Sequence, residues 1–131
     1  EAAQDLSGYS VSLSSDGKRV AIGAPRGNGN DSGHVRVYDW NGTAWTQVGA
    51  DIEGEAAGDQ SGASVSLSSN GTRVAIGAPV NDGNGTDSGH VRVYRFASVS
   101  SAPTPVPTLP LFGLGILVSL LGLFGLRKLR Q

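Results

Sequence analysis

The sequence predicts an all-β chain: two incomplete β-propeller blades followed by a single C-terminal transmembrane helix. Three observations carry this expectation. A long segment recurs at a register of 54 residues, apolar and polar residues alternate inside each copy, and eighteen uncharged residues stand near the C-terminus.

The repeat organises the chain. SGYSVSLSSDGKRVAIGAP at 7–25 returns as SGASVSLSSNGTRVAIGAP at 61–79, and DSGHVRVY at 31–38 returns at 87–94 after a two-residue insertion. The match extends backward, with Glu1-Ala2-Ala3-Gln4-Asp5 aligned on Glu55-Ala56-Ala57-Gly58-Asp59. The chain thus starts partway through a unit, and we expect truncation, with adjacent upstream blades missing.

Within each copy the strands follow from period-2 alternation. Tyr9, Val11 and Leu13 alternate with Ser10 and Ser12, which predicts a half-buried strand with its serines toward solvent. Ser15-Asp16-Gly17 and Ser69-Asn70-Gly71 predict tight turns. Val20–Gly23 is the next strand, ended near Pro25, and His34–Trp40 turns at Asn41-Gly42 into Ala44–Val48. Four short strands per unit fit a propeller blade or a related all-β repeat. Two copies cannot close a propeller. The open possibilities are a two-blade fragment with exposed apolar sheet faces, assembly with other chains, and further blades upstream.

Composition narrows the function classes. With no cysteine, thiol catalysis and Cys-based metal sites are excluded. Residues 1–102 hold seven basic and eleven acidic groups, a net charge of −4, which gives no reason to expect nucleic acid. The serines lack a G-x-S-x-G context and an oriented base, so no enzyme is expected.

The most metal-like stretch is Asn81–Asp87, where Asp82, Asn84 and Asp87 offer oxygens for a cation such as calcium; its plain reading is a solvated Asn/Gly turn. His34 and His90 recur with Arg36 and Arg92 two residues on, as a basic ligand surface or simply a polar strand face. Trp40 and Trp45 flank a turn and predict packing across a hairpin, at the core or a blade interface, or an aromatic patch. The Asn-Gly-Thr sequons at 41, 70 and 84 read as turns.

Gly8-Tyr9-Ser10-Val11, Ala21-Ile22-Gly23-Ala24-Pro25 and Gly33-His34-Val35-Arg36-Val37-Tyr38, each with its second copy, resemble the FG-GAP repeats of the integrin α-chain propeller. They are closer still to the long runs of bacterial envelope proteins. The resemblance covers residues 1–96 and implies a propeller scaffold for recognition or adhesion, with a protein or glycan outside the cell as ligand. The calcium loop of many members corresponds here to Ser14–Arg19 and Ser68–Arg73, which hold one carboxylate and none, so that site is not expected.

Residues 97–108 form a Ser/Pro/Thr-rich linker, and 109–131 an anchor or sorting segment. Leu109–Leu126 as a helix would span about 27 Å, near bilayer thickness. Arg127, Lys128 and Arg130 would then lie in the cytoplasm, with the repeats across the membrane. Val106-Pro107-Thr108-Leu109-Pro110, this span and the basic end together resemble a bacterial sorting signal of the Ile/Val-Pro-Thr-Leu class. That resemblance implies processing by an exosortase-like enzyme. The expectation is an exported, non-enzymatic envelope module for recognition, adhesion or structure, displayed from a single-pass anchor. The alternatives are a calcium-dependent adhesin and a nonfunctional fragment.

Overall fold

The computed structural model describes residues 1–97. Eight strands form two antiparallel sheets. The first repeat supplies β1 (Ser10–Leu13), β2 (Arg19–Ala24), β3 (His34–Trp40) and β4 (Trp45–Gln47), paired in chain order, and β5 (Ile52–Glu53) pairs with the other end of β3. The second repeat supplies β6 (Ser64–Leu67), β7 (Arg73–Ala78) and β8 (His90–Arg95), also in chain order. The predicted turns form: Gly17 and Gly71 donate backbone hydrogen bonds to Ser14 and Ser68, closing β1–β2 and β6–β7. Asn41 Oδ1 accepts from the backbone of Thr43 and Ala44 at 2.9 Å, so this sequon is a turn.

The two sheets lie against each other, and their contact is the core. Ala21, Val35 and Val37 of the first sheet are buried against Val74 and Ile76 of the second, with Val65, Leu67 and Tyr94 packed around them. Polar ties sew the edges of this seam. Ser10 Oγ donates to Gly62 O at 2.7 Å, Leu67 N–H donates to Ser12 Oγ at 3.0 Å, and Arg19 Nη1 donates to Gly71 O at 2.7 Å. Asp39 holds the Arg19 guanidinium through two bonds of 2.6 and 2.7 Å, which orients it for that reach. The connector then seats Gln60–Gly62 along the first repeat, with Gln60 and Ser61 N–H groups bonded to Asp31 and Ser32 carbonyls at 2.9 Å.

The seam reverses one expectation. β1 and β6 have the same sequence, Ser-Val-Ser-Leu, but opposite burial. In β1 the serines face the second sheet while Val11 and Leu13 are 64% and 60% exposed; in β6 the valine and leucine turn inward. Alternation marks the two faces of a strand but not which one a neighbour will cover. Serines 10 and 12 are therefore interface groups rather than solvent-facing ones.

Two further expectations are corrected. In place of two propeller blades there are two separate open sheets, of five and three strands, with no curling or closure. Two units make only one seam, and their outward faces find no partner within residues 1–97. The expected transmembrane helix and single-pass localisation are corrected as well: among the described residues no helix is long and apolar enough to cross a membrane. The segment 109–131 on which they rested, and residues 98–108 of the linker, lie outside the described residues.

An ion pair fastens the β4–β5 connection to β3. Arg36 grips Asp51 through two bonds of 2.8 Å, and Gln47 Nε2 donates to Asp51 Oδ1 at 2.6 Å. The Arg36 bonds come first among the causes that hold the Asp51 carboxyl at about 2, below the usual carboxylate value. Because the folded value is depressed, the stabilisation is complete above the unfolded value near 4 and disappears as pH falls through about 2. Asp51→Asn is expected to cost about 1 kcal/mol at neutral pH, since the pair is partly solvated, and almost nothing at pH 2. Urea unfolding across that range checks it; a cost independent of pH would refute it.

Candidate functional site

The repeat places two copies of one side-chain group at equivalent positions: Glu1, Asp5 and His34, then Glu55, Asp59 and His90. Each histidine begins the third strand of its repeat, β3 inside the first sheet and β8 at the edge of the second. Each glutamate and aspartate comes from the segment preceding the repeat's first strand. The local backbone uses the aspartate as a turn acceptor, with Ala2 N–H bonded to Asp5 at 2.8 Å and Ala56 N–H to Asp59 at 3.1 Å.

One substitution makes the two copies differ. Gly27, two residues beyond Pro25, corresponds to Asn81, two beyond Pro79. A Cβ on Gly27 would lie 2.0 Å from His34 Nδ1, so glycine is what lets the imidazole fold inward. His34 is only 2% exposed, its Nε2 sits 3.2 Å from Glu1 Oε2, and its buried Nδ1 has no hydrogen-bond partner. In the second copy Asn81 takes that space and donates to Asp59 Oδ2 at 2.8 Å. His90 is displaced outward, its side chain 35% exposed and its Nε2 3.3 Å from Glu55 Oε1.

The outcome is a closed site in the first repeat and an open one in the second. In the first, donor atoms of Glu1, Asp5 and His34 all lie within 4.8 Å of one another, close enough to share a metal ion. Arg36 also pairs with Glu1, however, and so supplies the positive charge a cation would bring. In the second, Glu55, Asp59, Asn81, Asp82, Asn84 and His90 line a groove of about 480 Å³. Three carboxylates face this groove, while Arg92 approaches Glu55 only to 3.9 Å.

The predicted cation loop is brought together in part. Asp82 and Asn84 reach the groove wall, but Asp82 Oδ1 is already bonded to the Asp87 backbone N–H at 2.7 Å, and Asn81 Oδ1 to that of Gly83 at 2.9 Å. The loop thus uses its oxygens to hold its own turn. Glu55 and Asp59 were not singled out as site residues by sequence reasoning, and Asn81 only as the start of the Asn81–Asp87 stretch. The shared Glu-Ala-Ala-x-Asp stretch was the available signal, but it has no recognisable ligand spacing until the fold brings it beside His90. The two tryptophans pack on each other across the β3–β4 hairpin, ring centroids 5.5 Å apart, and both remain exposed rather than entering the core. Val106, Pro107, Thr108, Leu109, Pro110, Arg127, Lys128 and Arg130 lie outside the described residues.

Residues 53–94 match the family model of the FG-GAP repeat, so a partial FG-GAP repeat is present. The matched stretch contains the second sheet as far as Tyr94 and the Glu55–Asp59 segment, and therefore the residues of the open groove. No curated protein matches the chain.

Proposed function

We propose that residues 1–97 act as a non-enzymatic recognition module and that the groove of the second repeat is its contact site. The observation that carries this reading is the opening of the same side-chain group in one repeat and its closure in the other. A histidine and two carboxylates, Glu55 and Asp82, are left accessible, with Asp59 buried behind them, where the equivalent first-repeat histidine is buried. Such a wall favours a polar ligand presenting a positive charge, such as a lysine- or arginine-bearing segment of a partner protein. The partial FG-GAP repeat at residues 53–94 is in keeping with a binding role. Calcium dependence is the less supported reading, because the loop oxygens of Asp82 and Asn81 already serve their own backbone.

The test is fluorescence anisotropy with labelled lysine-rich and glutamate-rich peptides and a neutral oligosaccharide. Saturable binding of the lysine-rich peptide, weakened roughly tenfold in Glu55→Gln/Asp82→Asn, is expected. Binding of that peptide unaltered by these substitutions, or preference for the acidic peptide, would sink the proposal. Dependence on added calcium would favour the adhesin reading instead.

A further inference from the structure

The internal seam joins two chemically different faces, and each of those faces occurs once more, uncovered. The first sheet's inner face, built on Ser10, Ser12, Ala21, Gly23, Val35 and Val37, receives the second repeat. Its equivalent on the second sheet is Ser64, Ser66, Ala75, Gly77, Val91 and Val93. There Val91 and Val93 are 67% and 63% exposed, whereas Val35 and Val37 are 0% and 1%. The face that the second repeat inserts, built on Val65, Leu67, Val74, Ile76 and Tyr94, has its equivalent in Val11, Leu13, Val20, Ile22 and Tyr38 of the first sheet. Val11 and Leu13 of that face stand open.

The match includes a socket and a plug. In the first repeat the Gln60–Gly62 backbone fills a slot so narrow that a Cβ on Gly23 would lie 2.1 Å from Gly62 O. In the second repeat the corresponding slot is an empty groove of about 740 Å³, lined by Ser64, Gly77, Ser88, Gly89, His90 and Val91. The equivalent of the plug is Leu6–Gly8. It already has the plug's backbone: Leu6 has φ 56° against 55° for Gln60, and Gly8 has φ 90° against 90° for Gly62. A Cβ at Gly8 would meet nothing within 4 Å, while one at Gly62 would meet His34 O at 2.7 Å. The left-handed bend at Leu6, costly for a branched side chain, is thus formed with no neighbour in the slot position.

Charge adds a reason to choose a second copy of this chain as the occupant. In the seam Arg19 is paired with Asp39 and reaches the turn that carries neutral Asn70. On the open second sheet Arg73 stands opposite Arg95, with no acid in the Asp39 position. The turn that would meet this arginine pair carries Asp16 in place of Asn70, with Lys18 beside it in place of Thr72. The change from acid to arginine on one face is answered by a carboxylate on the other.

We infer that these two open faces are halves of one joint, and that copies of this chain dock head to tail, Leu6–Gly8 of one entering the Ser64–Val91 groove of the next. The contact is heterologous, so it builds chains or rings rather than a symmetric pair. It shares only His90 with the proposed ligand groove, so Glu55→Gln/Asp82→Asn, which tests that groove, would leave the joint intact.

The test is sedimentation velocity of the full 131-residue chain in mild detergent, from micromolar to hundreds of micromolar. Wild type is expected to associate with concentration, and Val11→Asp and Val93→Asp each to weaken this by roughly tenfold or more. An equimolar mixture of the two variants should form a dimer and nothing larger, because each retains the half that the other has lost. Both positions are exposed in the single molecule, so an unchanged thermal midpoint at low concentration checks that the variants fold. A monomeric wild type overturns the inference. So does association untouched by both variants, which would assign it to residues 98–131, or association lost in Val11→Asp alone, which would indicate a symmetric contact.

Discussion

Gly33→Ala is expected to lower the stability of the repeat region by about 3 kcal/mol or more, and Gly89→Ala by only about 1 kcal/mol. The two glycines occupy the same place in the repeat and share the same left-handed backbone, with φ 76° and 78°. A methyl group at either position therefore carries the same conformational strain. Their surroundings differ. A Cβ at Gly33 would lie 2.1 Å from Ser61 O and 2.7 Å from Ser61 N, backbone atoms that cannot turn aside, whereas at Gly89 the nearest atom is Pro79 O at 3.3 Å. Gly33 also forms the bridge with Ser61 that begins the seam. Urea unfolding of dilute protein reads both variants, and equal losses would mean that the Gly33–Ser61 approach does not constrain the fold.

Val37→Ala should cost about 2 kcal/mol, while Val93→Ala should change stability by less than about 0.5 kcal/mol. Both valines occupy the same position of the His-Val-Arg-Val-Tyr strand. Val37 is closed in by the second sheet, so truncation removes buried methyl groups and leaves a void that packed neighbours fill only partly. Val93 faces outward and loses little. The comparison must be made at a concentration where copies do not associate. At high concentration the head-to-tail joint would cover Val93 and raise its cost toward that of Val37. Identical small effects at both positions would show that the seam contributes little to holding the sheets together.

Much of the local structure was legible in the chain. The strands other than β5, the Asp-Gly and Asn-Gly turns between them and the division into two copies follow from alternation and from residues whose turn chemistry acts over three or four positions. These interactions are short in sequence, so a single chain displays them. The candidate site was legible only in part. Asp82 and Asn84 were visible as oxygen donors in a tight loop, but Glu55, Asp59 and His90 are separated in sequence and become one wall only when the connector folds back on β8. The displacement of His90 depends on Asn81 standing where the first repeat has Gly27, a difference of one side-chain volume.

What the sequence determined by itself is an all-β pair of like units, the turns between their strands and the residue types that alternate along each strand. What only the tertiary structure decided is which face of each unit is covered. Ser-Val-Ser-Leu hides its serines in β1 and its valine and leucine in β6, although the four residues are the same. The reason is that burial belongs to a contact rather than to a strand. Stacked in the same sense, as here, two copies of a two-faced sheet unite unlike faces and leave one of each kind outside.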